Sequence, residues 1–153
     1  KIIAFSTEKQ IKVVLNPGKR EISQKEDLLR VVKEVDVLIL NQEEANQLTD
    51  QPETLSRIVV VTKGQEGVEL FAQGRVLESD AFKVKMVDAT GAGDAFGAGF
   101  VAGLIKGMSL EDSLKLGAAN GASSVTEIGA KSGLLFAKDI PIWLAKPLKM
   151  VWK

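Results

Sequence analysis

Short apolar runs alternate along the chain with stretches in which apolar residues recur at helical spacing. The runs 12–16, 37–40 and 57–62 are rich in Val, Leu and Ile, which is typical of strands that a parallel sheet buries on both faces. The segment 68–77 alternates around a glycine turn and predicts antiparallel strands at an edge of the sheet. This order of elements predicts an α/β fold with a mostly parallel sheet and helices on both faces.

Polar residues mark the starts of several predicted helices. Ser23 followed by Glu26 has the spacing of a capping box ahead of an apolar helical stripe. Ser109 is the predicted N-cap of a later helix, and residues 1–10 also predict a helix. The tail 141–152 contains both Trp residues and matches no element pattern, so it is expected only to pack on the domain or on a neighbour.

The stretch Asp88-Ala-Thr-Gly-Ala-Gly-Asp94 carries the strongest functional signal. The alternating run 82–87 before it predicts a strand, and the small apolar residues after it predict a buried helix. Glycines at 91 and 93 let the backbone approach a ligand closely, and the free amides of a helix start attract an anion. Asp94 in the first helical turn could accept a proton from an attacking alcohol. The same residues also fit a plain helix start, with an Asp that stabilises the helix dipole and glycines that allow tight packing.

Composition narrows the available chemistry. The 153 residues are 45% hydrophobic and 26% charged, which suits one globular domain with a core. The charges of the 20 basic and 20 acidic residues cancel, so the chain has no net charge. Neither nucleic acid nor an anionic membrane is therefore expected as the main partner. There is no Cys and no His, which excludes disulfides, thiol chemistry, zinc sites of the usual kind and His catalysis.

No apolar run is long enough to span a bilayer, and the spacing of Gly99 and Gly103 predicts a close-packed helix face instead. No signal peptide is visible, so a cytoplasmic enzyme is expected.

The stretch 88–94, with the small-residue helix behind it, resembles the C-terminal signature of the ribokinase-like (PfkB) family of ATP-dependent sugar and nucleoside kinases. Ala89 is a mild departure from the usual residue after the leading Asp. The resemblance implies transfer of the ATP γ-phosphoryl group to a primary alcohol of a sugar or nucleoside. It also implies that Asp94 is the catalytic base and that an anion hole is formed by the amides of Gly91, Ala92 and Gly93.

Asn41-Gln-Glu-Glu44 follows the predicted strand 37–40 and has two interpretations. Asn with Glu three residues later is a helix N-terminal signature. The carboxyl end of a strand is also where an open α/β sheet places its ligands, and a carboxylate there can hold Mg²⁺ through water. The resemblance adds an Asn-x-x-Glu motif at this place that helps to organise Mg²⁺ and phosphate. Both interpretations can hold together, with the cap positioning the helix and Glu44 facing the metal.

The resemblance implies three further groups of site residues. Thr62, Gly64 and Gly67 are candidate ATP contacts by the resemblance, whereas the residues alone favour a plain glycine-bearing hairpin. Position 118 is Ala where the family often has Asn, and the nearby Asn120 is therefore not assigned to adenine. The remaining candidates are the loop residues Gly129 and Ala130 beside the adenine pocket, and Asp88 and Thr90 at a site for a monovalent cation such as K⁺.

The resemblance covers nearly all of residues 1–153 but only the C-terminal half of the family's pattern, because family members run to about twice this length. A single domain is expected, which would be the nucleotide-binding and catalytic half of such a kinase, with the sugar-binding half and lid absent. The acceptor is not specified, and a homodimer is one candidate assembly. The alternatives are a non-catalytic nucleotide-binding module, a truncated fragment or a plain structural α/β domain.

Overall fold

The computed structural model describes residues 2–153, which form a six-stranded sheet and seven α-helices. Neighbouring strands follow the chain order: β1 (Val14–Leu15), β2 (Val37–Asn41), β3 (Ile58–Thr62), β4 (Val68–Ala72), β5 (Arg75–Ser79) and β6 (Met150–Trp152). The helices are α1 (Ile2–Glu8), α2 (Lys19–Ser23), α3 (Lys25–Val31), α4 (Gln42–Leu48), α5 (Ala92–Ile105), α6 (Leu110–Ser124) and α7 (Ile140–Ala145). Short 3₁₀ turns occupy Val32–Glu34, Pro52–Thr54 and Gly64–Glu66.

The described chain divides into two compact units. The first contains the residues up to Lys63 together with 69–77 and 152–153, and thus most of the sheet and helices α1 to α4. The second contains 64–68 and 78–151, and thus α5, α6 and α7.

The first three strands are parallel, as the buried apolar runs predicted. Leu38 pairs with Val59, and Asn41 with Thr62, in the register of β2 and β3. Residues 37–40 are at most 3% exposed, because strands covered on both faces need apolar side chains throughout. The predicted hairpin is also present, since Gln73 and Gly74 between β4 and β5 both have positive φ, at 55° and 73°, which suits a two-residue antiparallel connection. The predicted α/β class is confirmed.

The core of the first unit fills the space between one face of the sheet and its helices. Alternate residues of β2 and β3 point to this face, because side chains alternate along a strand. The buried cluster consists of Ile22, Leu28, Val32, Val35, Leu38, Leu40, Ala45, Leu48, Leu55, Val59 and Val61.

In the second unit α5 and α6 pack closely through glycine. A Cβ at Gly99 would lie 2.8 Å from the carbonyl oxygen of Leu116, and one at Gly103 would lie 2.7 Å from Cα of Ser113. The predicted close-packed helix face is therefore confirmed. No helix in the described part of the chain is long and apolar enough to cross a membrane.

The run 82–87, predicted as a strand, is not one. The amides of Val87 and Asp88 instead donate to the carbonyl of Val125, at 2.7 and 3.2 Å, and the ring of Phe82 packs edge-on against Trp143. The tail takes the position beside β5, where Val76 and Lys153 exchange backbone hydrogen bonds of 3.2 and 2.8 Å. The alternating pattern of residues 82–87 could not show this, because the position beside β5 is occupied by the tail strand β6.

The predicted capping box at Ser23 is also wrong. Its hydroxyl donates to the carbonyl of Arg20 at 2.7 Å and so ends α2, because Ser can satisfy the backbone in more than one local pattern. The predicted N-terminal helix is present as α1, and Lys1 lies outside the described residues.

Candidate active site

The start of α5 is a glycine turn with a left-handed N-cap. Gly91 has φ 76° and ψ 6°, a conformation that costs residues with a Cβ free energy. A Cβ on Gly91 would also lie 2.7 Å from Cβ of Ala130. Gly91 is therefore required both by its backbone conformation and by the close approach of the loop at 129–130.

Several amides at this turn have no partner among residues 2–153. The backbone nitrogens of Gly91, Gly93 and Asp94 donate to no other described residue, whereas that of Ala92 donates to Ala89 at 3.2 Å. Two of the three amides predicted for the anion hole are thus available, and the amide of Asp94 adds a third. Free amides at the positive end of a helix dipole favour a bound anion.

Asp94 is the third residue of α5 and is exposed. Its carboxylate makes no hydrogen bond or ion pair within the described part of the chain. The side chain is therefore accessible to a ligand held at the turn, as a general base must be.

Asp88 connects the turn to the loop that follows α6. One carboxylate oxygen accepts from the amide of Thr90 at 2.9 Å, and the other accepts from the amide of Gly129 at 2.9 Å. Hydrogen bonds from the side chain and amide of Thr90, together with that from Gly129, hold the pKa of Asp88 below its usual range. Asp88, Thr90, Gly91, Gly129 and Ala130 therefore lie in one cluster of the second unit.

Two of the predicted nucleotide contacts, Gly64 and Gly67, lie at a sharp turn of the second unit. Gly67 has φ 105°, and a Cβ there would lie 2.0 Å from the carbonyl oxygen of Ser79, so the backbone geometry alone requires glycine. Gly64 has φ 58° with open space around it. Their contact with ATP stays a prediction.

In the first unit, Asn41 and Glu44 form a complete capping box at the start of α4. The Asn41 side-chain oxygen accepts from the Glu44 amide at 2.8 Å, and Glu44 Oε2 accepts from the Asn41 amide at 2.9 Å. The capping interpretation is therefore confirmed. Thr62 is paired with Asn41 in the sheet, and its hydroxyl donates to Leu40 at 3.3 Å.

The capping box is compatible with Mg²⁺, since its reciprocal hydrogen bonds leave Glu44 Oε1 available. Mg²⁺ is usually held by one or two carboxylates, water and substrate phosphates. No group of three or more Asp, Glu, His or Cys side chains in residues 2–153 could hold a metal by itself.

Sequence reasoning missed the structural position of Asn120. Its buried side chain hydrogen-bonds to Ala95, next to Asp94, and to Leu135. No local signal could have shown this, because the two partners are 25 and 15 residues away in the chain.

An open pocket of about 340 Å³ lies elsewhere in the second unit, and Glu127, Phe136, Asp139 and Trp143 are among its lining residues. None of the predicted site residues lines it. The pocket is therefore not identified with the glycine turn.

Comparison with known proteins adds to this geometry. The model of the pfkB family carbohydrate kinases matches residues 2–136. A ribokinase of Lactococcus lactis is 34% identical over 140 residues, which cover 87% of this chain and 45% of the relative. The structure of a Methanocaldococcus jannaschii nucleoside kinase, an archaeal member of the ribokinase family, matches with TM-score 0.79 and 29% identity over 88% of this chain and 48% of that one.

An Arabidopsis thaliana ribokinase, solved with ribose and ATP, matches with TM-score 0.80 and 23% identity over 95% of this chain and 51% of its own. The chain thus spans about half the length of the relatives that it matches.

Proposed function

The chain belongs to the pfkB family of carbohydrate kinases, and we propose that it forms the nucleotide-binding and catalytic half of an enzyme that phosphorylates a sugar or nucleoside with ATP. The observation that carries this proposal is the open start of α5. There, a left-handed Gly91, three amides with no partner among residues 2–153 and an exposed Asp94 occur together. An anion site beside an accessible carboxylate is what phosphoryl transfer to an alcohol requires.

In the proposed reaction Asp94 accepts the proton of the acceptor hydroxyl. The hydroxyl oxygen then forms a bond to the γ-phosphorus, the bond from that phosphorus to the β–γ bridging oxygen breaks, and ADP leaves. The amides of Gly91, Gly93 and Asp94 stabilise the negative charge on the transferred group. General-base catalysis is worth about 10²–10⁴ in rate, and one anion-hole donor is worth about 10²–10³.

Other residues have supporting roles in this proposal. Glu44, positioned by Asn41, would help to hold Mg²⁺, which neutralises phosphate charge when it is bound with ATP. Asp88 and Thr90 would bind a monovalent cation such as K⁺. A relative that was solved with ribose and ATP supports the substrate class, and a cytoplasmic location fits an ATP-dependent reaction. The proposed nucleotide contacts are Thr62, Gly64 and Gly67, with Gly129 and Ala130 beside adenine.

The test is acceptor-dependent ADP release by the complete natural polypeptide, with Mg²⁺, ATP and K⁺, against a panel of sugars and nucleosides. Asp94→Asn should lower kcat by about 10²–10⁴, while calorimetry shows little change in ATP affinity. Asp112→Asn is the matched control. Asp112 is also the third residue of its helix, so this substitution carries a similar helix-dipole cost but should leave turnover unchanged.

Near-native turnover by Asp94→Asn would show that the base is wrongly assigned. ATP binding without turnover with any acceptor would favour a non-catalytic nucleotide-binding module. Absence of ATP binding would contradict the proposed function altogether.

A further inference from the structure

Asn120 is a buried amide that joins three segments of the second unit. The residue is 8% exposed, its Nδ2 donates to the carbonyl of Ala95 at 2.7 Å, and its Oδ1 accepts from the amide of Leu135 at 2.9 Å. A carbonyl can only accept and an amide N–H can only donate, so the two partners determine the orientation of the Asn120 amide. Both ends of this buried polar group are satisfied, in a way that no apolar residue could reproduce.

The contact with Ala95 reaches the start of α5. Ala95 directly follows Asp94, and its own amide donates to Gly91 at 2.8 Å. Ala95 is therefore held at its nitrogen by the glycine turn and at its carbonyl by Asn120. Gly99 allows this approach, because a Cβ there would lie 3.0 Å from Cβ of Asn120.

The contact with Leu135 holds the far side of the loop after α6. The near side is held by Asp88 through the amide of Gly129, and Ala130 between them approaches Gly91 closely. Two polar side chains thus hold the loop 129–135 in place, and the loop and Asn120 both contact the turn that carries Asp94. Displacement of either contact would change the position of the Asp94 turn.

We propose that Asn120 is a positioning residue for phosphoryl transfer, which sets the first turn of α5, and with it the Asp94 carboxylate and the free amides, against the loop 129–135. This inference rests on the proposed function. Its physical basis is that catalysis depends on the geometry of reacting groups more steeply than folding does, so a displacement of about 1 Å can cost roughly a hundredfold in rate.

Two substitutions separate the two contacts. Asn120→Leu keeps a side chain of four heavy atoms that branches at Cγ, and it removes both hydrogen bonds. Asn120→Asp keeps an acceptor for Leu135 but has no N–H for Ala95, so it isolates the contact with α5. The matched control is Ser124→Ala, because Ser124 is buried on the same helix and its hydroxyl donates only to Gly121 of that helix, at 2.9 Å.

The experiment measures kcat and KM of the complete polypeptide at a temperature where thermal unfolding shows each variant to be folded. Both Asn120 variants should lower kcat by roughly ten- to a hundredfold, with KM for ATP changed by less than about threefold. Ser124→Ala should lower the melting temperature with kcat unchanged. If Asn120→Asp does not fold, Asn120→Leu alone decides the result.

Wild-type kcat in Asn120→Leu, together with a lower melting temperature, would show that Asn120 only stabilises the fold and would overturn the inference. A wild-type protein that releases no ADP with any acceptor would instead overturn the proposed function, and the inference with it. The wild-type assay therefore distinguishes the two failures.

Discussion

Helices α4 and α5 both begin with a carboxylate at their third residue, yet their starts differ. At α4, Glu44 and Asn41 exchange hydrogen bonds and satisfy each other. At α5, the N-cap Gly91 has no side chain, the Asp94 carboxylate has no partner within residues 2–153, and neighbouring amides are free. Unsatisfied groups at a helix start cost stability unless a ligand or water satisfies them. The first start therefore satisfies its own polar groups, whereas within residues 2–153 the second leaves them open.

The largest expected effect follows from Gly91→Ala. An alanine held in the left-handed conformation of Gly91 costs about 1–3 kcal/mol. The overlap of its Cβ with the Ala130 side chain adds about 1–3 kcal/mol. We expect a clear loss in the free energy of unfolding, measured by chemical denaturation, and a loss of turnover. Gly107→Ala is the control and tests the strain alone, because Gly107 has φ 71° and a Cβ added there would meet no atom of the other described residues within 4 Å, its chain neighbours aside. Equal losses in both variants would show that the contact with Ala130 is unimportant.

Substitutions at the start of α4, where Asn41 and Glu44 exchange hydrogen bonds, should have different effects from those at α5. Asn41→Ala should lower the free energy of unfolding by about 1 kcal/mol, as loss of an N-cap does. Glu44→Gln keeps an acceptor for the Asn41 amide, so stability should stay close to wild type while activity requires more Mg²⁺. Glu43→Gln, one residue earlier in the same exposed turn, is the control. An unchanged Mg²⁺ requirement would leave Glu44 with the capping role alone.

Gly93→Ala tests whether the open start of α5 needs close backbone approach. A Cβ there would meet no atom within 4 Å in the described part of the chain, apart from its chain neighbours and its own helix backbone. Ala in a helix is also about 0.5–1 kcal/mol more favourable than Gly. We therefore expect equal or higher thermal stability together with weaker ATP binding or turnover, measured by calorimetry and ADP release. Full activity with raised stability would mean that the ligand does not require glycine at this position.

The smallest effect concerns Asp36, at the opposite end of β2 from the capping box. Partial burial raises the pKa of its carboxyl, but hydrogen bonds from Lys12 and the Val13 amide outweigh burial, and the pKa lies below its ordinary value of 3.8. A carboxyl group whose pKa is lower in the folded than in the unfolded state stabilises the protein above its unfolded-state pKa. This contribution disappears as the pH falls through the folded-state pKa.

Asp36→Asn should therefore remove roughly 0.2–1 kcal/mol at neutral pH and less below pH about 3.8. Urea denaturation at several pH values measures this difference. A variant effect that does not diminish in acid would contradict the assignment.

Sequence patterns predicted the features whose partners are close in the chain. The hairpin at Gly74, the Ser109 cap and the Asn41–Glu44 signature all depend on contacts within a few residues. The strands β2 and β3 were predicted from their local apolar composition, although they pair across 21 residues. The Gly-Ala-Gly turn is also predicted from the local sequence, but which of its backbone amides are hydrogen-bonded is not. Among residues 2–153 the Ala92 amide donates to Ala89 while the Asp94 amide has no partner, and this depends on turn geometry that composition does not show.

By itself, the sequence determined the alternation of strands and helices, the helix starts at α4 and α5, and the residues able to perform acid–base chemistry, because periodicity and capping are local properties. Only the tertiary structure decided which side chains join distant segments. Asp88 reaches Gly129 across 41 residues, Asn120 reaches Ala95 across 25, and the tail, which matched no element pattern, pairs with β5. Such partners depend on which groups remain unsatisfied after the chain has packed, and this is a property of the whole fold.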